Sequence, residues 1–186
     1  VESYWGNVNP IGVRACYDVS KRFGEMACVT AFREFEQNVR WVRIFNTYGP
    51  RNDPFDGRVI PSFVMQALKG EPITVFGDGS HTRSYCYVSD LVRGLEKMMW
   101  SDEVKGEAVN LGNPGEFTIL QTAELIKEII GSSSEIVYKP MEGVRSEDPK
   151  VRKPDISKAL KLIDWKPTVS FEDGLKPTIE YFKKFV

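Results

Sequence analysis

Runs with helical spacing alternate with short apolar runs along the whole chain, and this alternation constrains the fold most. Tyr17 to Phe35 is spaced as a helix. Val39 to Phe45, rich in Val, Trp, Ile and Phe, reads as a buried strand ended by the turn residues Asn46 to Pro50. A helix over Val59 to Leu68, stopped by Gly70, precedes a short strand, Ile73 to Phe76, closed by Gly77-Asp78-Gly79. Ser84 to Val88 reads as another strand, Ser89 as the cap of a helix reaching Trp100, and Ala108 to Leu111 as a strand closed by Gly112-Asn113-Pro114-Gly115. Thr118 and Gln121 form a capping box for a helix through Ile130. Glu135 to Tyr138 is a strand, a short helix follows Asp155, and Ser170 with Asp173 opens the last helix, Phe171 to Phe185. The chain is therefore α/β. Its longest irregular stretch, Met141 to Pro154, is charged, and a loop of that length is more often functional than a passive connector.

The length of 186 residues suits one domain or part of one, and 41% apolar residues suffice for a packed core. Lys and Arg number 25 against 26 Asp and Glu, so bulk charge supports neither a nucleic-acid nor a membrane-surface partner, and any anion site must be local. Cys16, Cys28 and Cys86, with no Cys-x-x-Cys spacing, and the single His81 are too few for a zinc site; they read as free thiols in packed positions, favouring a reducing compartment. No apolar run approaches the roughly 20 residues of a membrane helix. Val1 is not an initiator methionine, and the sequence is expected to be a piece of a longer one.

Chemistry concentrates at Tyr17-Asp18-Val19-Ser20-Lys21. On a helix, residues four apart share a face, so the Tyr17 phenol and the Lys21 ammonium point the same way. A cation nearby favours the phenolate, which fits a tyrosine that takes a proton from a hydroxyl. The flanks are Tyr4-Trp5-Gly6-Asn7-Val8-Asn9-Pro10-Ile11-Gly12 and Arg43-Ile44-Phe45-Asn46-Thr47-Tyr48-Gly49-Pro50-Arg51. With them the chain resembles the extended short-chain dehydrogenase family, and within it the UDP-glucuronate decarboxylases, over nearly its whole length.

The resemblance implies the C-terminal portion of an NAD-binding Rossmann-type fold, its last elements interleaved over 1–186 with a small α/β substrate-binding region. The family's glycine-rich dinucleotide loop is not among these residues. It implies NAD as cofactor, a UDP-sugar substrate, no metal, a homodimer formed through the Tyr17 helix with Met26, Val29 and Thr30 on the contact stripe, and a cytoplasmic protein. A Golgi lumenal one is the alternative if a membrane anchor precedes Val1.

Tyr17 would take the proton from the sugar 4-hydroxyl as hydride passes to NAD, and Lys21 would hold the nicotinamide ribose. Val19-Ser20 stands where the decarboxylases usually have Glu-Gly. Asn46 would contact the substrate diphosphate, Thr47 approach the cofactor, and Arg58, in Asp56-Gly57-Arg58-Val59, close over the ligands. Phe76 would pack on uracil, and Arg83, in Thr82-Arg83-Ser84-Tyr85, would pair with the diphosphate, a role suited to a planar guanidinium. Arg152, in Glu147-Asp148-Pro149-Lys150-Val151-Arg152-Lys153-Pro154-Asp155-Ile156, would lie near the sugar carboxylate as a third catalytic residue. A 4-epimerase or 4,6-dehydratase on the same scaffold, or a nucleotide-sugar-binding fragment without turnover, remains the alternative.

Overall fold

In the computed structural model, which describes residues 1–143 and 148–186, the first helix (α1, Ala15–Phe35) starts ahead of Tyr17 and closes on Glu36 in the left-handed conformation. The Glu36 cap returns a backbone N–H to the Ala31 carbonyl. No residue of α1 is buried. Cys16, expected to be packed, is exposed on it, while Cys28 is half-buried and Cys86 fully buried.

The apolar run that follows forms a shorter strand than its composition suggests, β1 (Trp41–Ile44), and then a second one, β2 (Thr47–Tyr48), inside the expected turn. Helix α2 (Val59–Lys69) ends at Gly70 with φ 69°, a conformation glycine adopts without strain. Strand β3 (Ile73–Phe76) matches its expected bounds. Of the strand expected over 84–88 only β5 (Cys86–Tyr87) forms, and a separate short strand, β4 (Thr82–Arg83), precedes it. The two pair in different directions: β4 runs antiparallel to β7 (Phe117–Thr118), and β5 parallel to β2. Helix α3 (Val88–Trp100) begins before Ser89, with Tyr87 as its N-cap and no side-chain cap.

Strand β6 (Ala108–Leu111) pairs in parallel with β1, Trp41 opposite Ala108 and Ile44 opposite Leu111. Helix α4 (Ile119–Ile130) carries the full Thr118–Gln121 capping box, and β8 (Ile136–Lys139) pairs in parallel with β3. Two more helices close the chain, α5 (Ser157–Ile163) and α6 (Phe171–Phe182), the last turn after 182 tightening to a 3₁₀ helix. Parallel pairs joined through helices are the Rossmann-type arrangement, each strand edge feeding a loop at its carboxyl end.

Two apolar clusters hold these elements. One joins α2, α4 and α6 over β3, with Tyr48, Tyr85 and Phe171 at its edge. The other packs Leu91 and Met98 of α3 against Val109 and Leu111 of β6, Ile163 of α5, and Trp165. Trp165 is 1% exposed and donates its indole N–H to the Asp90 carbonyl at 2.9 Å. Gly94 is needed beneath it, since a Cβ there would stand 2.9 Å from the indole nitrogen. The Asp90 carboxylate, fully buried, accepts the backbone N–H groups of Thr168 and Val169 and pairs with Arg93, so a buried charge is held by several donors at once. Among the described residues no helix is long and apolar enough to cross a membrane.

Candidate active site

Tyr17 and Lys21 lie side by side on α1 as four-residue spacing requires, the Lys21 ammonium 5.4 Å from the centre of the Tyr17 ring. The Arg14 guanidinium, one turn earlier, approaches the same ring at 5.9 Å. Both members of the pair are exposed and border a cavity of about 530 Å³ shared with Ser20, Gly24, Glu25 and the strand β1. Arg43 of β1 donates to both Glu25 oxygens, at 2.5 and 3.1 Å, fastening strand to helix. Burial pushes the Glu25 carboxyl up, but the Arg43 guanidinium outweighs it and leaves Glu25 below its ordinary value. Arg22 on the next turn donates to the carbonyls of Trp5 and Gly6, holding the leading segment beside the helix.

A second cavity, about 280 Å³, gathers Asn46, Thr47, Arg58, Arg83 and Arg152 with Asp148, over Tyr48 and Tyr85. Arg83 is only 8% exposed, donating to the carbonyls of Thr82 and Pro149 at 2.8 and 2.9 Å and pairing with Asp148 at 3.5 Å. Asn46 gives its amide to the Ser84 carbonyl at 3.3 Å and Thr47 its hydroxyl to the Phe45 carbonyl at 3.1 Å, so both also order the turn. Arg58 is mostly solvent-exposed and pairs with Asp56 at 2.8 Å. Thr47 and Arg58, expected to approach the cofactor, thus line the arginine cavity and not the one beside Tyr17 and Lys21. Phe76 stands in an adjoining cavity of about 260 Å³ with Thr74, His81 and Lys139, which shares Arg83 and Asp148 with the arginine cavity.

Arg152 connects the two regions. Half-buried, it lines the arginine cavity and also a third cavity with Asn7, Asn9, Arg14 and Asp18 at the start of α1. Burial pushes its pKa down, the charges of Arg83 and Arg14 push the same way, and Asp148 and Tyr17 oppose them. Tyr17 and the arginine cluster are joined through Arg14, whose guanidinium is 5.9 Å from the Tyr17 ring and 2.6 Å from Asp148.

The chemistry of the remaining phenols and thiol separates reagent from scaffold. Tyr48 donates to the Phe171 carbonyl at 3.0 Å, and its pKa is raised by burial. Burial pushes Tyr85 up to about 12, its ring stacked on Phe171 at 4.8 Å. Cys86 is likewise pushed up to about 12. These groups stay protonated, and Tyr48 and Tyr85 form the floor of the arginine cavity, whereas Tyr17 meets solvent beside a cation. Among the described residues no cluster of His, Cys, Asp or Glu is arranged to hold a metal ion.

Sequence reasoning had passed over Arg14 and Asp148. Arg14 was recoverable from helical spacing, three residues before Tyr17 on the same face. Asp148 lay within a charged stretch that gave no reason to single it out, and Glu147 beside it lies outside the described residues.

Residues 6–112 match the NAD dependent epimerase/dehydratase family. The chain is 50% identical over 183 residues to UDP-glucuronic acid decarboxylase 1 of Xenopus tropicalis, covering 98% of this chain and 42% of that protein. It is 50% identical to UDP-glucuronic acid decarboxylase 2 of Arabidopsis thaliana, covering 100% of this chain and 41% of that protein. The chain thus spans about two fifths of the length of these curated relatives. Among solved structures it is similar to an epimerase from Methanothermobacter thermautotrophicus, with TM-score 0.88 and 32% identity over 99% of this chain and 55% of that one. It is also similar to the UDP-glucuronic acid 4-epimerase of Bacillus cereus, solved with UDP-glucuronic acid and NAD, with TM-score 0.83 and 32% identity over 91% of this chain and 53% of that one.

Proposed function

The chain belongs to the NAD dependent epimerase/dehydratase family, and on that premise we propose that the protein carrying it is an NAD-dependent UDP-glucuronate decarboxylase that forms UDP-xylose and carbon dioxide. The observation that carries the reading is Arg152, which faces the Tyr17 helix on one side and the arginine cavity on the other. A base at the sugar ring and a guanidinium for its carboxylate are what oxidation at C4 followed by loss of the C5 carboxylate requires. The 50% identity to decarboxylases from a frog and a plant supports the same choice.

The donor set on α1 fits a nicotinamide ribose, because the Lys21 ammonium and the Tyr17 phenol stand on one exposed face beside an open cavity. Bound NAD would supply the oxidant for C4 and return the same electrons after carbon dioxide has left. Tyr17 Oη takes the proton from the 4-hydroxyl and gives it back to the ketone at the end, while the electron pair left at C5 when carbon dioxide departs takes its proton from solvent, so the reaction consumes one proton overall. Lys21 holds the ribose with its ammonium, one turn from the phenol on the same face. Arg83, pre-set by two backbone carbonyls, meets the diphosphate with Asn46 and Thr47 beside it, and Phe76 offers a ring to the base. Arg58, already near Asp56 on the open side, covers the bound nucleotide. Arg152 pairs with the sugar carboxylate until it leaves.

The protein acts as a homodimer through α1, whose outward Met26 is 50% exposed. The test is a product analysis by proton NMR after incubating the full-length protein with UDP-glucuronate and NAD. UDP-xylose is expected; UDP-galacturonate as the sole product would replace the decarboxylase with a 4-epimerase, the reaction named for the Bacillus cereus neighbour.

A further inference from the structure

Two guanidiniums converge on one carboxylate where the arginine cavity meets the start of α1, and a third, Arg152, lines the same cavity. Arg14 Nη1 lies 2.6 Å from Asp148 Oδ1, and Arg83 Nη2 lies 3.5 Å from Asp148 Oδ2. One carboxylate therefore divides its two oxygens between an arginine at the head of the catalytic helix and one on β4. Arg152 shares a cavity with each of them, and both repel its charge. Among the described residues the other acid paired with an arginine of the cluster's head is Asp18, 3.6 Å from Arg14. Arg58 and Lys153 have their own acids, Asp56 and Glu116.

Like charges this close, over a floor of buried rings, need an anion among them to keep their positions. We infer that Asp148 is a positioning residue, the resident counter-ion of the anion site: it holds Arg14 and Arg83 at the spacing in which an incoming diphosphate meets them, with Arg152 left to the sugar carboxylate, and it yields them to that ligand. As a competitor for the same guanidiniums it lowers the affinity of simple anions. As a tether between α1 and β4 it sets the arginines against the base Tyr17. The catalytic half of this inference rests on the proposed decarboxylase reading; the anion-binding half does not.

Pyrophosphate binding by calorimetry and steady-state kinetics with UDP-glucuronate test it on the full-length protein, Asp148→Asn and Asp148→Glu. The Asn variant, close in size but uncharged, should fold but melt below the wild type because Arg14 and Arg83 lose their counter-charge, bind pyrophosphate about three- to tenfold more tightly, and lose about tenfold or more in kcat as the arginines lose alignment. The Glu variant, with its charge kept, should return pyrophosphate binding to near the wild-type value and recover part of kcat. Weaker or unchanged pyrophosphate binding in a folded Asn variant overturns the counter-ion role, and an unchanged kcat overturns the positioning role. Should the Asn variant not fold, the Glu variant decides: tightened pyrophosphate binding there, with the charge still present, overturns the inference. If the wild type turns over no UDP-glucuronate, the calorimetry still judges Asp148, and the failure belongs to the proposed reaction.

Discussion

The helix that carries the base and the cavity that carries the arginines are built in opposite ways. Along α1 no residue is buried, Tyr17 is 55% exposed, and beside the Phe32 ring over Gly106 several links to the rest of the chain are polar: Arg43 to Glu25, Arg14 to Asp148, Arg22 to two carbonyls. Arg83, by contrast, is buried against a floor of Tyr48, Tyr85 and Phe171 that belongs to the larger apolar cluster. On the proposed reading, recognition is part of the core and the reagent is mounted on its surface. A substitution at the reagent should change rate without changing stability, while one beneath the cavity should change both.

The largest effect tests the first half of that contrast. Tyr17→Phe should lower kcat by about a hundred- to ten-thousandfold through loss of the proton acceptor, with the melting temperature unchanged, read by kinetics beside a thermal melt. Arg152→Ala comes next. It removes one charge-assisted contact of about 1.5–3 kcal/mol, so kcat/KM for UDP-glucuronate should fall about ten- to hundredfold. The same variant should keep its affinity for UDP within a few fold, because Arg83 and not Arg152 is assigned to the diphosphate.

Beneath the cavity, Gly174→Ala would place a Cβ 2.2 Å from the Tyr48 hydroxyl and 2.7 Å from the Tyr87 ring. Overpacking of this kind costs about 1–3 kcal/mol. A denaturant melt should show that loss, and UDP binding should weaken with it; a stable variant with intact binding would break the link between floor and cavity.

The smallest effect concerns the fastening of α1. The Glu25 carboxyl sits below its ordinary value of 4.5 in the folded chain. A depressed folded pKa contributes stability above the unfolded value, and that contribution fades as pH falls from about 4.5 through the lower folded value. For a partly exposed pair it amounts to roughly 0.2–1 kcal/mol. The stability difference between wild type and Glu25→Gln should therefore be present at neutral pH and vanish at the acid end. A difference that grew on acidification would contradict the pairing with Arg43.

What could be read in the sequence follows the same division. Tyr17 and Lys21 were legible because four-residue spacing on a helix is local information, and the Thr118–Gln121 capping box was legible for the same reason. The strand expected over 84–88 is shorter, Cys86–Tyr87, and a further one at Thr82–Arg83 precedes it, because strand extent here is decided by partners elsewhere, β2 for Cys86 and β7 for Arg83. Ser89 looked like a cap because Ser usually is one, but the next residue, Asp90, is drawn into the core by N–H groups 78 and 79 positions away. The contact between Arg14 and Asp148 spans 134 positions, and nothing in either neighbourhood announces the other. Resemblance supplied Asn46, Arg83 and Arg152; only the coordinates showed that they share a cavity with Asp148 and are joined to Tyr17 through Arg14.

Release of labelled carbon dioxide from carboxyl-labelled UDP-glucuronate with NAD, by the full-length wild type beside Arg152→Ala, bears most directly on the claim that base and arginine cavity serve one decarboxylation. The account predicts stoichiometric release by the wild type and a rate about ten- to hundredfold lower for the variant. Turnover of UDP-glucuronate with no label released, or release at the same rate from both proteins, would contradict it.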